Sequence, residues 1–193
     1  MASAAPVPAF PARHEAIEAP AALRTRGVVL RAAHAGDMPW LRDLYASTRH
    51  DELAAVPWPE PAKRAFLDQQ FALQHAHYLQ HFPSADFLIV EDPRGRLGRL
   101  YLDRSADPHV LVDISLLPDC RGQGIGSALI AHAQTFASAD GRALTLHVLH
   151  ANPQAQRLYA RLGFVAGEAG QTHLAMRWDG PGAGPGTGQL NTA

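Results

Sequence analysis

The segment Asp119-Cys120-Arg121-Gly122-Gln123-Gly124-Ile125-Gly126-Ser127 constrains this chain more tightly than any other. An apolar, strand-like run from Val110 to Leu117 leads into it, and a helix-like run from Ser127 to Ala139 leaves it. Three glycines at alternating positions remove side chains where the backbone must turn from strand to helix. Such a turn exposes amide N–H groups and the positive end of a helix, a setting that suits a diphosphate. Arg121 at its mouth adds a charge-assisted donor. A nucleotide-type cofactor is the expectation.

Spacing narrows the choice. The dinucleotide fingerprint needs G-x-G-x-x-G, whereas the chain reads Gly122-x-Gly124-x-Gly126, and no acidic residue ending a second strand stands at the required distance. Asp140 follows the helix directly. The phosphate loop of nucleoside triphosphatases also fails, because no Lys-Ser/Thr follows the glycines.

A second pattern lies downstream. Leu144 to Leu149 alternates as a strand does, and Asn152-Pro153-x-Ala155-x-x-Leu158-Tyr159-x-x-Leu162-Gly163-Phe164 follows. Asn152 suits an N-cap, Pro153 the first helical position and Gly163 the residue just past the end. Ala155, Leu158, Tyr159 and Leu162 fall on one helical stripe. Arg121-x-x-Gly124-x-Gly126 resembles the coenzyme A pyrophosphate loop of the GNAT superfamily of N-acetyltransferases, and the Asn152–Phe164 segment resembles its other signature. The resemblance spans about residues 28–178, with its sharp motifs in 113–164. It implies an α/β fold, the GNAT acyl-CoA N-acyltransferase fold. That fold has a central mixed sheet of about seven strands, splayed between strands 4 and 5 and flanked by four helices.

The rest of the chain fits one domain at 27–179. Residues 1–26, rich in Ala and Pro, are expected to be disordered, and 180–193 to be a flexible Gly/Pro-rich tail. A strand is expected over 26–33, followed by a helix capped by Asp37 with Leu41, Leu44 and Tyr45 on one face. The Pro-rich stretch 50–61 reads as a loop, and 62–81 as a long helix. Strands at 86–91, 97–103 and 110–117 form a meander. Two strands, about 164–168 and 172–178, close the chain. A net charge of −1 gives no electrostatic case for nucleic acid or an anionic membrane. Cys120 stands alone, and no secretory leader or membrane span is visible, so the reading is cytoplasmic.

The resemblance then assigns roles. Acetyl-CoA would be the co-substrate and an amine the acceptor, with direct transfer between them and no metal. Leu116 or Leu117 would present a backbone N–H to the thioester. Arg121, Gly122, Gly124, Ile125, Gly126 and Ser127 would hold the diphosphate, and Asn152 the pantetheine arm. Tyr159 matches the general acid toward sulfur, although its helical stripe equally suits a core tyrosine. Asp113, a carboxylate among apolar strand residues, is a candidate general base or else a partner for an arginine such as Arg99. His150 is a second candidate base. Glu52 and Glu60 border the loop that walls the acceptor site in such proteins, and Trp58 within it would line the pocket or else anchor the loop to the core. His75, His77 and His81 read as a solvated face, and Cys120 as structural. A non-catalytic acyl-CoA sensor on the same fold is the alternative function. Many members pair, so a homodimer is open.

Overall fold

The computed structural model describes residues 10–11 and 16–181. Alternating apolar residues build seven strands: β1 (Val29–Ala32), β2 (Asp86–Asp92), β3 (Gly95–Asp103), β4 (His109–Leu116), β5 (Leu144–Leu149), β6 (Val165–Ala169) and β7 (His173–Trp178). They form one sheet in the order β1-β2-β3-β4-β5-β7-β6. Every pairing is antiparallel except β4 with β5. A parallel neighbour needs a crossover, and helix α4 (Ile125–Ala139) supplies it. The mixed sheet, its single parallel pair and its flanking helices are the expected fold.

Period-2 alternation sends each strand's side chains to two separate cores. On one face, Leu88, Val90, Leu100, Leu102, Leu111, Leu144, Leu146 and Val148 meet Leu129, Ile130 and Ala133 of α4 and Tyr159 of α5 (Pro153–Arg161). On the other, Phe87, Ile89 and Tyr101 meet Leu41, Leu44 and Tyr45 of α2 (Met38–Ala54) and Phe71 of α3 (Glu60–His81). Burying each such Leu or Ile contributes about 1.5–3 kcal/mol, so the two cores hold the helices to the sheet.

Three expectations need correcting. Part of the N-terminal segment is ordered: α1 (Ala21–Arg24) forms, and Ile17, Ala19 and Leu23 are buried in the α4-side core. Their spacing is too short to show periodicity, and only the tertiary contacts reveal it. Residues 1–9, 12–15 and 182–193 lie outside the described residues. The stretch 50–54 is not loop but the end of α2, since nothing before Pro57 breaks the helix and Glu52 pairs with Arg49 one turn back. Asp37 precedes α2 but its carboxylate does not cap it. Fully buried, it accepts from Arg31 twice at 2.8 Å and from the His34 backbone.

Gly98 on β3 faces Leu116 on β4. A Cβ there would lie 2.3 Å from Ser115 O and 2.6 Å from Leu116 Cδ2. The close approach of β3 to β4 therefore requires glycine. Gly98→Ala is expected to cost about 1–3 kcal/mol through overpacking, measured as a lowered midpoint in chemical denaturation. An unchanged midpoint would mean the two strands have room to separate.

Candidate active site

The parallel β4–β5 ladder is short. His109, Val110 and Leu111 pair with Leu144, Thr145 and Leu146, and there the pairing ends although both strands continue. Just past that point β4 carries a bulge against β3: Tyr101 faces Asp113 while Leu102 faces Leu111, leaving Val112 unmatched. A bulge bends and twists its strand, and β4 leaves β5 at this residue.

Hydrogen-bond alternation then assigns the backbone groups. Leu117 N donates to Leu97 O at 2.9 Å, so in an antiparallel ladder Leu116 and Ile114 turn their N–H and C=O away from β3. Those groups face the gap. Leu116 O accepts from Arg121 Nε at 3.1 Å. Of the two expected backbone donors, Leu116 thus points into the gap. The Leu117 amide is already bound within the sheet.

Below the gap lies the glycine loop. Gly122 and Gly124 have φ of 72° and 78°, and a Cβ on either would meet nothing within 4 Å, so the space above them is open. Gly124 is the N-cap of α4 and no side chain caps that helix. The first hydrogen bond into the loop is Ala128 N to Gly124 O, leaving the amides of Ile125, Gly126 and Ser127 unbound in the first turn. Arg26 donates to Gln123 O at 2.9 Å and brings a second guanidinium to this loop. Open space, free amides, a helix dipole and two arginines make a site for a diphosphate. Arg26 was illegible in the sequence because it reaches the loop from the opposite end of the domain.

Asn152 caps α5, its Oδ1 accepting from Ala155 N at 3.0 Å, which leaves its amide NH2 to donate. Tyr159 on α5 is 9 % exposed and packs edge-to-face on Phe164 at 5.7 Å. Its hydroxyl has no hydrogen bond among the described residues. Burial, reinforced by the charge of Asp113, pushes this phenol above its ordinary value and keeps it protonated.

Asp113 is held firmly. Its carboxylate accepts two bonds of 2.9 Å from Arg99, one of 3.0 Å from Tyr78 and one of 2.9 Å from Ser115. Arg99 also donates to Gln74 at 2.7 Å, and its side chain is only 3 % exposed. Burial alone would lower the Arg99 pKa, but the charge and hydrogen bonds of Asp113 together with Tyr101 and Tyr78 outweigh it, and the net shift is upward. Tyr78 is raised by burial and by the same carboxylate, and Tyr101 above them, fully buried, is pushed to about 12. A carboxylate with four donors is fixed in place by them.

The other expected residues divide. Glu52 lies in the last turn of α2, 3.0 Å from Arg49. Trp58 is 46 % exposed and meets Phe66 edge-to-face at 5.6 Å. His150 Nε2 donates to Gly170 O, 2.9 Å away, and follows the end of β5. His77 and His81 stack on each other at the surface, but His75 is buried against Phe71 and Phe10, which corrects its solvated reading. Among the described residues no group of His, Cys, Asp and Glu could hold a metal ion, and no helix is long and apolar enough to cross a membrane.

One residue missing from the sequence reading is His147. It is the first β5 residue past the last paired one, and its parity is opposite to the buried Leu144, Leu146 and Val148. It therefore stands exposed on the α2/α3 face at the vertex of the gap. The signal was present as the one polar, titratable member of an alternating strand.

The geometry of Asp113 makes its own prediction. Asp113→Asn leaves the buried Arg99 charge unpaired and is expected to cost about 3–5 kcal/mol of stability, seen as a sharply lowered thermal midpoint. Unchanged stability with lost turnover would instead mark Asp113 as the base.

Residues 83–166 match the acetyltransferase (GNAT) domain family. No curated protein sequence matches the chain significantly. Among solved structures, the PaiA N-acetyltransferase of Thermoplasma acidophilum, in complex with coenzyme A, superposes with a TM-score of 0.61 at 16 % identity. The match covers 79 % of this chain and 98 % of that one. A Corynebacterium glutamicum protein described as histone acetyltransferase HPA2 and related acetyltransferase gives 0.55 at 24 % identity, covering 82 % and 98 %. A point mutant of the SpeG spermidine N-acetyltransferase of Vibrio cholerae gives 0.55 at 20 %, covering 79 % and 94 %. This sheet and this glycine loop accompany the match of residues 83–166 to the acetyltransferase (GNAT) domain family, and the fold is the one these solved acetyltransferase structures share.

Proposed function

We propose that the protein is an acetyl-CoA-dependent N-acetyltransferase, moving an acetyl group directly from the thioester to a primary amine. The observation that carries this reading is the gap between β4 and β5, with the Leu116 amide turned into it and the uncapped α4 beside it. Bound there, acetyl-CoA supplies an activated acetyl group and a thiolate that must be protonated as it leaves.

The chain's own residues meet the remaining demands. The amides of α4, with Arg121 and Arg26, bind the diphosphate. The Leu116 N–H polarises the acetyl carbonyl, and a donor so placed contributes on the order of 3 kcal/mol to the transition state. Tyr159, kept protonated by burial, holds a proton for the departing sulfur. His147 stands on the face from which the amine approaches and accepts its proton, a role suited to imidazole at neutral pH. Asp113, engaged by Arg99 and Tyr78, acts as a positioning residue that fixes the bulged strand. The reading goes with a cytoplasmic setting.

Two measurements test it. Acetyl-CoA or coenzyme A at ~100 times its dissociation constant should stabilise the fold by about 2.7 kcal/mol, raising the thermal midpoint where ATP and NAD do not. His147→Gln should lower kcat by roughly a hundredfold to ten-thousandfold while that midpoint shift survives, and Tyr159→Phe should likewise lower turnover and spare binding. Binding without turnover of any amine by the unmodified protein would favour the acyl-CoA sensor.

A further inference from the structure

A hydroxyl stands on the face of β4 that looks toward α2 and α3. Asp113, Ser115 and Leu117 share that face: Tyr78 of α3 reaches Asp113, and Leu117 packs into the α2/α3-side core. Ile114 and Leu116 pack on the α4 side instead. Ser115 is half-buried, so a ligand can touch it. It directly precedes Leu116, whose N–H points into the gap. The Ser115 side chain and the Leu116 amide branch from one residue link, so covalent geometry alone keeps the hydroxyl close to that N–H. An acetyl carbonyl bound to the Leu116 N–H therefore has Ser115 Oγ on its α2/α3 side.

The hydrogen of this hydroxyl is already committed. Ser115 Oγ donates to Asp113 Oδ1 at 2.9 Å. Asp113 is ion-paired with Arg99 through two bonds of 2.9 Å and also accepts from Tyr78. Its carboxylate takes hydrogens and gives none. Among the described residues Ser115 Oγ makes no other hydrogen bond. What it offers the gap is lone pairs. It can accept from an N–H and cannot donate to a thioester oxygen, and the carboxylate behind it polarises it in that direction.

We propose that Ser115 holds the acceptor nitrogen by accepting one of its N–H bonds, and that it thereby selects a primary amine. This rests on the acetyltransferase reading of the same gap. A neutral primary amine has two hydrogens and one lone pair, and each has its own destination. One hydrogen stays in the bond to Ser115 Oγ. The lone pair forms the C–N bond to the acetyl carbon while the C–S bond breaks. That electron pair leaves on sulfur, which takes the Tyr159 proton. The second hydrogen is lost as a proton to the base, His147 in that reading, and solvent restores both side chains. The nitrogen gains positive charge as it attacks. Its bond to an oxygen backed by a carboxylate thus tightens more in the transition state than in the ground state. A secondary amine has a single hydrogen, and giving it to the base leaves Ser115 without a donor.

The test follows thiol release from acetyl-CoA with benzylamine, ethanolamine and glycinamide, each beside its N-methyl counterpart. Ser115→Ala is expected to lower kcat/KM for the primary amines by roughly tenfold to a hundredfold, the range of a hydrogen bond to a charged group. Most of the loss should fall in kcat. The N-methyl amines should lose little, so the preference for the primary member of each pair shrinks by the same factor. The acetyl-CoA midpoint shift should not move, and Ser115→Thr, which keeps a hydroxyl on a strand-compatible residue, should recover turnover. Unchanged kcat/KM in Ser115→Ala overturns the proposal. So does an equal loss for both members of every pair, which would make Ser115 a support for Asp113 and nothing more. Either result leaves the acetyltransferase reading standing. If the unmodified protein shows the midpoint shift but releases thiol with none of these amines, that reading falls and this proposal falls with it.

Discussion

The site depends on where β4 stops bonding to β5. Their ladder ends at Leu111–Leu146, and the unmatched Val112 bends β4 away at the next residue. Without that bulge the parallel ladder would continue, and the Leu116 and Ile114 amides would be spent on β5. With it, backbone groups inside a sheet are left open to a ligand. The same extra residue places Val112 and Asp113 together on the α2/α3 face, Val112 in the core and Asp113 against Tyr78 and Arg99. The bulge is held by this ion pair, since a buried guanidinium that loses its carboxylate is strongly penalised.

Around that opening the charges are divided by the sheet. On the α4 face, free amides, a helix dipole, Arg121 and Arg26 gather positive potential where a diphosphate fits. On the α2 face, His147 and His173 stand diagonal to each other across the β5–β7 ladder. Between them sit the two groups that burial keeps neutral or engaged, Tyr159 and Asp113. The near-zero net charge of the chain conceals this arrangement, because most carboxylates are committed to local pairs such as Asp37 with Arg31 and Asp92 with Arg94.

Much of the fold was legible before the structure. The cap-and-stop signals of α5, the run into α4 and the meander β2–β4 sit within a residue or two of expectation, because each is written in local periodicity and turn chemistry. The glycine loop was legible for the same reason. Less visible were features made by distant contacts. Residues 16–24 carry no pattern, yet Ile17 and Leu23 fill a gap beside α4. His75 sits among histidines that read as solvent-facing, but one turn of helix separates an exposed ring from one stacked on Phe71.

The sequence alone determined the strand-loop-helix with its glycine turn, the capped α5 that carries Tyr159, and the order of elements that permits one parallel pair. Each is a local matter of backbone conformation and side-chain period. Only the tertiary structure decided that Arg99, fourteen residues away, reaches Asp113 across the β3–β4 ladder. It also decided that His147 stands at the vertex of the gap, and that Arg26 and Arg121 share one loop. Charges act through space, and the chain brings these groups together only after its two cores have closed on the sheet.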